Sequence, residues 1–599
     1  MQRPYFSRAF ATMVVLSLTA AGIAGGTACS IVTNTTALQC RSDNECQALG
    51  PEFSGFACDL PTHTCVKVAE DADLCVATPG KSANRSCMDK FNGDPAICSP
   101  KSHKCVRLKT PECPEIVERR SIQQAGAFDL ENDNTVVVGL VDGRNCCLGL
   151  GNISHYFAQL ALEQVLQANS QGIPASGGGP ARPMVLLVCP EGQPGRLDAI
   201  ARAGKHLAND VEVPLVVGPF QYDDINVMYS QGLRDKRIPL ILPGGQSRSD
   251  LQALPNPAAP TPLLYDIHPS AAEIVEMYRE LIISQLEPRI RSSPGFSGDI
   301  RVAMITERAL AFREPEELFE KRLVFNNGKS VAQNQVPDSQ GKVNYLKVAI
   351  SDTTDPIANP NPKAEAEAAL DAIVKFKPHI VIHNLSITLP PIELFPLLIQ
   401  LGSDPSLFKA YHFDVAGGVF GFPDTIKVLN AVQYPKGRVL AWAAHRDAAD
   451  VKRAQDTATD VRRQFIADPL AAGPVAVTPV NQTYYDSVFL AAYMIGAVGN
   501  KPLTAENFAA AIPRLTAKGG DAKRINTGLT DSAVGFAALA SGQSIDLQGI
   551  TSTFDIDPAS GAVKYDSVEA WCIDAAGNPL PSGFYSTQSG SAGDITKCE

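Results

Sequence analysis

Positive charge is in short supply. Across 599 residues, 52 Lys and Arg stand against 63 Asp and Glu, a formal net charge of −11. A protein that neutralises nucleic-acid phosphates needs the opposite surplus, so the balance argues against a nucleic-acid partner. Long apolar runs are equally scarce. After the first 24 residues no stretch reaches the roughly 20 apolar residues of a spanning helix. Catalytic signatures are missing too: there is no G-x-S-x-G elbow, H-E-x-x-H helix or phosphate-binding Walker loop. Asp555 and Asp557 resemble a calcium loop only superficially, because Pro558 breaks the acidic alternation. They are read as a hairpin turn. No catalytic residue, metal or cofactor is expected. With 45% apolar and 19% charged residues, most of the chain can bury cores, and its length suits about three or four folding units.

The N-terminus reads as a targeting segment. Arg3 and Arg8 precede an apolar or small run from Phe10 to Ala24, the pattern of a signal peptide over residues 1–28. Gly26-Thr27-Ala28-Cys29 then resembles the lipobox of bacterial lipoproteins, although Gly26 stands where Leu is usual. The resemblance implies lipidation of Cys29 and a membrane partner reached through acyl chains. Giving one of the 15 cysteines to lipid leaves an even number to pair in an oxidising compartment.

Apolar residues are sparse between Cys40 and Cys113, where nine cysteines gather. Cys58 and Cys65 enclose six residues, as do Cys98 and Cys105, and each pair has a His two places before its end (His63, His103). Cys40 and Cys46 precede the first pair, Cys75 and Cys87 the second. Two four-cysteine repeats with so little core need covalent staples. Zinc is the alternative, but its ligands usually come in tighter pairs. Under the disulfide reading both histidines are exposed loop residues, and residues 29–113 form a disulfide-rich module.

Residues 114–132 are polar and read as a linker. The texture then changes. Apolar runs at 135–141, 184–188, 214–217 and 238–242 alternate with amphipathic stretches, and the rhythm restarts at 300–305, 380–382, 408–413 and 438–442. Short apolar strands alternating with helices specify α/β units with parallel sheets. A final strand pair, 552–555 with 568–571, is expected around a turn containing Pro558 and Gly561.

From about Asn134 to Ala576 the order of features resembles the type I periplasmic binding proteins, of the Leu/Ile/Val-binding and receptor ligand-binding-region kind. The carriers are Cys189-Pro-Glu-Gly-Gln-Pro, Val217-Gly218-Pro219, Ile238-Pro-Leu-Ile-Leu-Pro243, Ile267-His268-Pro269-Ser270, Tyr484-Tyr485-Asp486 opening a long helix, and Gly549-Ile-Thr-Ser-Thr-Phe-Asp555 with Gly561. The resemblance implies two doubly wound lobes joined by a three-strand hinge that close over a ligand. Lobe 1 falls at 133–268 plus about 450–548, lobe 2 at 269–449 plus about 549–580, and a tail at 581–599.

It also implies where the ligand sits. Lobe 1 loops offer Asn145, Phe220, Gln221, Tyr222, Gly244, Gly245, Gln246 and Ser247, with helix N–H donors suited to a carboxylate. The usual Ser or Thr after the third strand is Gln221 or Tyr222 here. Arg248 is a carboxylate partner or a surface ion pair. Lobe 2 offers His383, Asn384 and Asp414, the last as an ammonium partner or a turn cap. The first strand ends in Asp142-Gly-Arg144-Asn-Cys146-Cys147, and Cys189 should end beside it. A bridge from Cys146 or Cys147 to Cys189 is therefore expected, the other pairing with Cys113. A vicinal or redox pair is the alternative. Cys572 and Cys598 would staple the tail. The functional expectation is a lipid-anchored solute-binding protein, not an enzyme. It would present an amino acid, amide or short-peptide-like ligand to an ABC-type permease or a sensor. An envelope adhesion protein reusing the fold is the alternative.

Overall fold

The computed structural model describes residues 40, 45–46, 48–50, 53, 56–59, 64–67, 75, 77–78, 80–119, 129–143, 150–177, 179–191, 196–244, 261–308, 310–351, 362–385, 413–416, 439–444, 448–465, 479–519, 522–565, 567–573, 579–587 and 590–595. The expected signal segment (1–28), Cys29, His63, Asn145, Cys146, Cys147, Gly245, Gln246, Ser247, Arg248 and Cys598 lie outside the described residues.

In the module, β1 (Phe56–Asp59) pairs with β2 (Thr64–Lys67), and β3 (Ala96–Cys98) with β4 (Cys105–Arg107). The six-residue gap sets Cys58 opposite Cys65 and Cys98 opposite Cys105. Each takes its bridge from upstream: Cys40–Cys58 and Cys46–Cys65, then Cys75–Cys98 and Cys87–Cys105. Both repeats thus share one connectivity, first to third and second to fourth. Helix α1 (Ala83–Lys90) carries Cys87. His103 is not the exposed loop residue expected. It is 7% exposed with φ +53°, because the hairpin turn folds inward, its carbonyl accepting from Cys75 N and its N–H donating to Ser99 O.

The next segment is less of a linker than its polarity suggests. β5 (Glu115–Val117) adds to the first large sheet, antiparallel to β7 (Met184–Pro190). The other strands, β6 (Val136–Asp142), β8 (Val216–Val217), β9 (Leu240–Leu242) and β10 (Leu264–Asp266), run parallel in the order β10-β9-β8-β6-β7-β5. Glu115 lies opposite Val188, which brings Cys113 to Cys189. These two form the disulfide, replacing the expected bridge to Cys146 or Cys147. The edge strand, invisible as an apolar run, made the nearer partner.

All seven residues of β6 are buried, and they alternate between two cores. Val136, Val138 and Leu140 pack towards α2 (Leu150–Ala168) and, beyond it, the apolar α9 (Pro479–Val498). Val137 and Val141 pack with Ile200 and Ala203 of α3 (Arg196–Lys205) and with Ile225 and Met228 of α4 (Tyr222–Met228). Met88, Ile97, Leu108 and Cys113 of the module share that second core.

The second large sheet begins with helix α5 (Ala271–Leu281), started by a reciprocal Ser270–Glu273 capping box. Its parallel strands are β11 (Val302–Glu307), β14 (Tyr345–Ile350), β15 (Ile380–Asn384), β16 (Phe413–Ala416) and β17 (Val439–Ala444). A short hairpin, β12 (Val324–Phe325) with β13 (Lys329–Ser330), intervenes. Val302, Met304 and Ile382 face the α5 core, whereas Ala303, Ile305 and Val381 face Ala366, Ala369 and Ile373 of α7 (Pro362–Phe376). Helix α6 (Leu310–Arg322) follows β11. The antiparallel strands β20 (Ser567–Ile573), β21 (Pro579–Thr587) and β22 (Gly590–Ala592) extend this sheet beyond β17. Cys572 is disulfide-bonded to a partner outside the described residues.

Helices α8 (Ala448–Phe465), α9 and α11 (Leu529–Ala540) pack on α2, and α10 (Ala505–Leu515) on α9. β18 (Lys523–Asn526) and β19 (Ile545–Gln548) make a small parallel pair. The expected strand at 552–555 is absent. Phe554 has φ +50°, and the Asp486 carboxylate takes the N–H groups of Ile550 and Thr551, which removes the segment from any ladder. Only single bridges remain there, Ile556 with Val563 and Asp266 with Ala562, while 568–571 pairs with β17 and β21.

The chain passes three times between the sheets: from β10 to α5, from β17 to α8, and from β19 to β20. The first two passages leave the carboxyl ends of parallel strands, one in each sheet. Both carboxyl edges therefore lie toward the shared crossings.

Candidate functional site

Ligands of parallel α/β sheets sit beyond the carboxyl ends of the strands. In the first sheet that edge is built from buried acids. Asp142 ends β6 with no exposed surface, and its Oδ2 lies 2.8 Å from Nδ1 of His155 in α2. Glu191 follows β7, its N–H donating to Asp142 O at 2.7 Å. The Glu191 carboxylate, also fully buried, accepts from Phe220 N at 2.6 Å and Gln221 N at 3.2 Å. Those N–H groups stand at the start of α4, where a ligand carboxylate was expected. The protein fills these donors with a carboxyl group of its own.

Asp224, one turn into α4, is fully buried and ion-paired to Arg196 Nε at 3.0 Å. Burial, with the neighbouring Asp224 charge adding to it, pushes the Glu191 carboxyl well above the carboxylate range, against the pull of its two backbone donors. Asp224 is pushed up to about 7, again chiefly by burial, which outweighs Arg196. Arg196 Nη1 also donates to Gln221 Oε1.

The other expected residues of the first sheet divide. Phe220 and Gln221 are half-buried at the edge, whereas Tyr222 is buried in the opposite-face core with Ile225 and Met228. Gly244 is held by packing: a Cβ there would lie 2.7 Å from the Phe220 ring. Gly218, at φ +86°, faces Val141 O, which an added Cβ would approach to 2.1 Å.

In the second sheet, His383 and Asn384 end β15 as expected, 4% and 8% exposed. Asn384 Nδ2 donates to Thr306 Oγ1 at 3.0 Å and Phe312 O at 2.8 Å, so the amide anchors the β11 end. Asp414 is displaced from the expectation. The strand is described over 413–416 and so runs past the expected end at 413; Asp414 lies level with Val381, and Ala416 is level with His383. At about 3.3 Å per residue it stands roughly 10 Å short of the Asn384 level.

Between the sheets, His268 packs edge-on to Trp442, ring centroids 5.8 Å apart. Its backbone N–H donates to Asp266 Oδ1, and burial lowers its imidazole to about 4. Tyr565 OH donates to Ile267 O at 2.5 Å. Sequence reasoning missed Glu191, Asp224, His155 and Thr306. The available signal was that Asp142 and Glu191 each close a wholly apolar run. The His155–Asp142 pair is no nucleophile relay, since the other ring nitrogen faces Glu115 Oε1 at 3.5 Å instead of a hydroxyl or thiol.

No protein-family model matches the chain, and no curated protein matches it. Solved structures do. The chain is similar to the branched-chain amino acid transporter substrate-binding protein LivJ of Streptococcus pneumoniae in complex with isoleucine, at 12% identity over 74% of this chain and 97% of that one, TM-score 0.48. It is similar to the leucine-binding protein LivK of Thermotoga maritima at 12% identity over 76% and 99%, TM-score 0.47. An extracellular ligand-binding receptor from Verminephrobacter eiseniae gives 14% identity over 74% and 99%, TM-score 0.47. The likeness is one of architecture.

Proposed function

We propose that this chain is an exported, lipid-anchored solute-binding protein that captures a small polar ligand between its two lobes. The ligand is amino-acid-, amide- or short-peptide-like, and it is delivered to an ABC-type importer or a sensor. The observation that carries this reading is the direction of the crossings. The carboxyl edges of both parallel sheets open toward the same linking segments, so one ligand can touch both and favour closure. No covalent step is involved. The first-lobe edge narrows the ligand class. Glu191 already occupies the donors at the start of α4, which leaves them unavailable to a ligand carboxylate, so the ligand presents an ammonium or amide N–H to this lobe.

A thermal-shift screen of the full chain against amino acids, amines, amides, short peptides and sugars tests the proposal. A ligand at 100 times its dissociation constant adds about 2.7 kcal/mol. Amines and amides should shift the melting point more than their carboxylate counterparts. A flat response across every pool, with no ligand carried through purification, would sink it. That outcome would favour the envelope-adhesion reading, to which the occupation of the α4 donors by Glu191 also lends weight.

A further inference from the structure

A second concave space lies at the opposite, amino edge of the first sheet. A cavity of about 340 Å³ is walled on one side by the module (Asn84, Ile97, Lys101) and on the other by lobe 1, where β6 begins and where the chain enters β8 and β9. It is separated from the candidate site by the length of β6, about 20 Å. The walls belong to one rigid unit. Asp133 of lobe 1 accepts from Ala83 N and Asn84 N at 3.0 and 2.9 Å, Ser99 Oγ donates to Glu212, and the Cys113–Cys189 bridge fixes the module to β7. The space is therefore preorganised.

Its lining combines apolar side chains (Ile97, Val213, Leu503) with neutral polar ones (Asn134, Thr135, Asn500) and an imbalance of charge. Each acid is engaged: Asp133 and Glu212 as above, and Glu506 with Arg237 at 2.6 Å. Of the four cations in the lining, only Arg237 is so engaged among the described residues. Arg182 has no carboxylate partner among the described residues; Nη2 donates to the Lys501 carbonyl at 3.2 Å, and the buried Nη1 meets no acceptor. Lys101 and Lys236 stand exposed at the mouth, also without ion pairs among the described residues. A guanidinium enclosed without a counter-charge is costly, and a bound anion removes that cost. Burial alone lowers Arg182 to about 10, in keeping with an uncompensated charge.

We propose that the cavity between the disulfide module and lobe 1 binds a small amphipathic organic acid, its anionic head on Arg182 and its apolar body along Ile97, Val213 and Leu503. The site is independent of whatever the interlobe cleft holds. Fluorine NMR of 4-(trifluoromethyl)benzoate with the full chain tests it, with 4-(trifluoromethyl)benzamide as the uncharged counterpart. The acid should bind saturably and the amide at least tenfold more weakly. Arg182→Met should weaken the acid by tenfold or more, Arg182→Lys by a few-fold, and Lys236→Glu, on an exposed residue that carries no fold, by several-fold. Arg182→Met should also melt no lower than the parent, since it removes a desolvated cation. Absence of saturable binding, equal binding of acid and amide, or acid affinity unchanged in both Arg182→Met and Lys236→Glu would overturn the proposal.

Discussion

At the scale of single residues, two carboxyls decide the character of the first lobe. Glu191 was in view as part of Cys189-Pro-Glu-Gly-Gln-Pro, yet neither its complete burial nor its grip on Phe220 N and Gln221 N could be read there. Burial is a property of what lies opposite, and α4 is 30 residues away. The pKa direction gives a signed prediction. An acid whose folded pKa is raised binds more protons folded than unfolded, so stability falls as pH rises from the unfolded value near 4 towards the folded value of about 7. Asp224→Asn removes that titration. Its melting temperature relative to the parent should rise between pH 5 and pH 8, by the equivalent of roughly 1–3 kcal/mol, as calorimetry at both pH values would show. A difference independent of pH would count against the buried ionisable pair.

At the scale of elements, the long apolar strands were legible because burial on both faces leaves nearly every position apolar, as in β6 and β7. What escaped was anything stabilised by its partner. β5 is three residues with a glutamate at its head, and it is a strand because β7 offers a free edge. Residues 552–555 alternate like a strand but are held off the ladder by Asp486. That carboxylate accepts from Ile550 N, Thr551 N, Thr551 Oγ1 and Thr527 Oγ1. Asp486→Ala leaves those buried donors without an acceptor and should cost about 3 kcal/mol by urea denaturation. The Asp486→Asn variant should lose less. Replacing Cys113 and Cys189 together by Ala should cost roughly 2–4 kcal/mol and expose the β5 amides to hydrogen exchange while β6 stays protected.

For the whole molecule, the two lobes and the disulfide-rich module were legible from texture alone, because composition changes sharply where the covalent staples end. The contact between them was not: Met88, Ile97 and Leu108 give no hint that they share a core with α3 and α4. The crossings add a second pH window, opposite in sign to the first. His268 is buried neutral with its pKa lowered to about 4, so the unfolded chain binds the extra proton and stability is lost as pH falls from about 6.5 to 4. His268→Phe keeps an aromatic ring against Trp442 and should flatten this acid limb by up to about 3 kcal/mol. Thermal melts from pH 4 to 7 compare the two proteins; parallel curves would rule out the buried imidazole as the cause.

The five described bridges differ in reach. The four inside the module close over 18 to 23 residues, whereas Cys113 must find Cys189 across 76. The first four can close before the α/β part has folded, because each joins residues of the module alone. The fifth must wait until β7 has arrived beside β5. Its closure is therefore a covalent receipt that the first sheet has been assembled in register, and a chain in which Cys113 remains reduced is marked as unfinished.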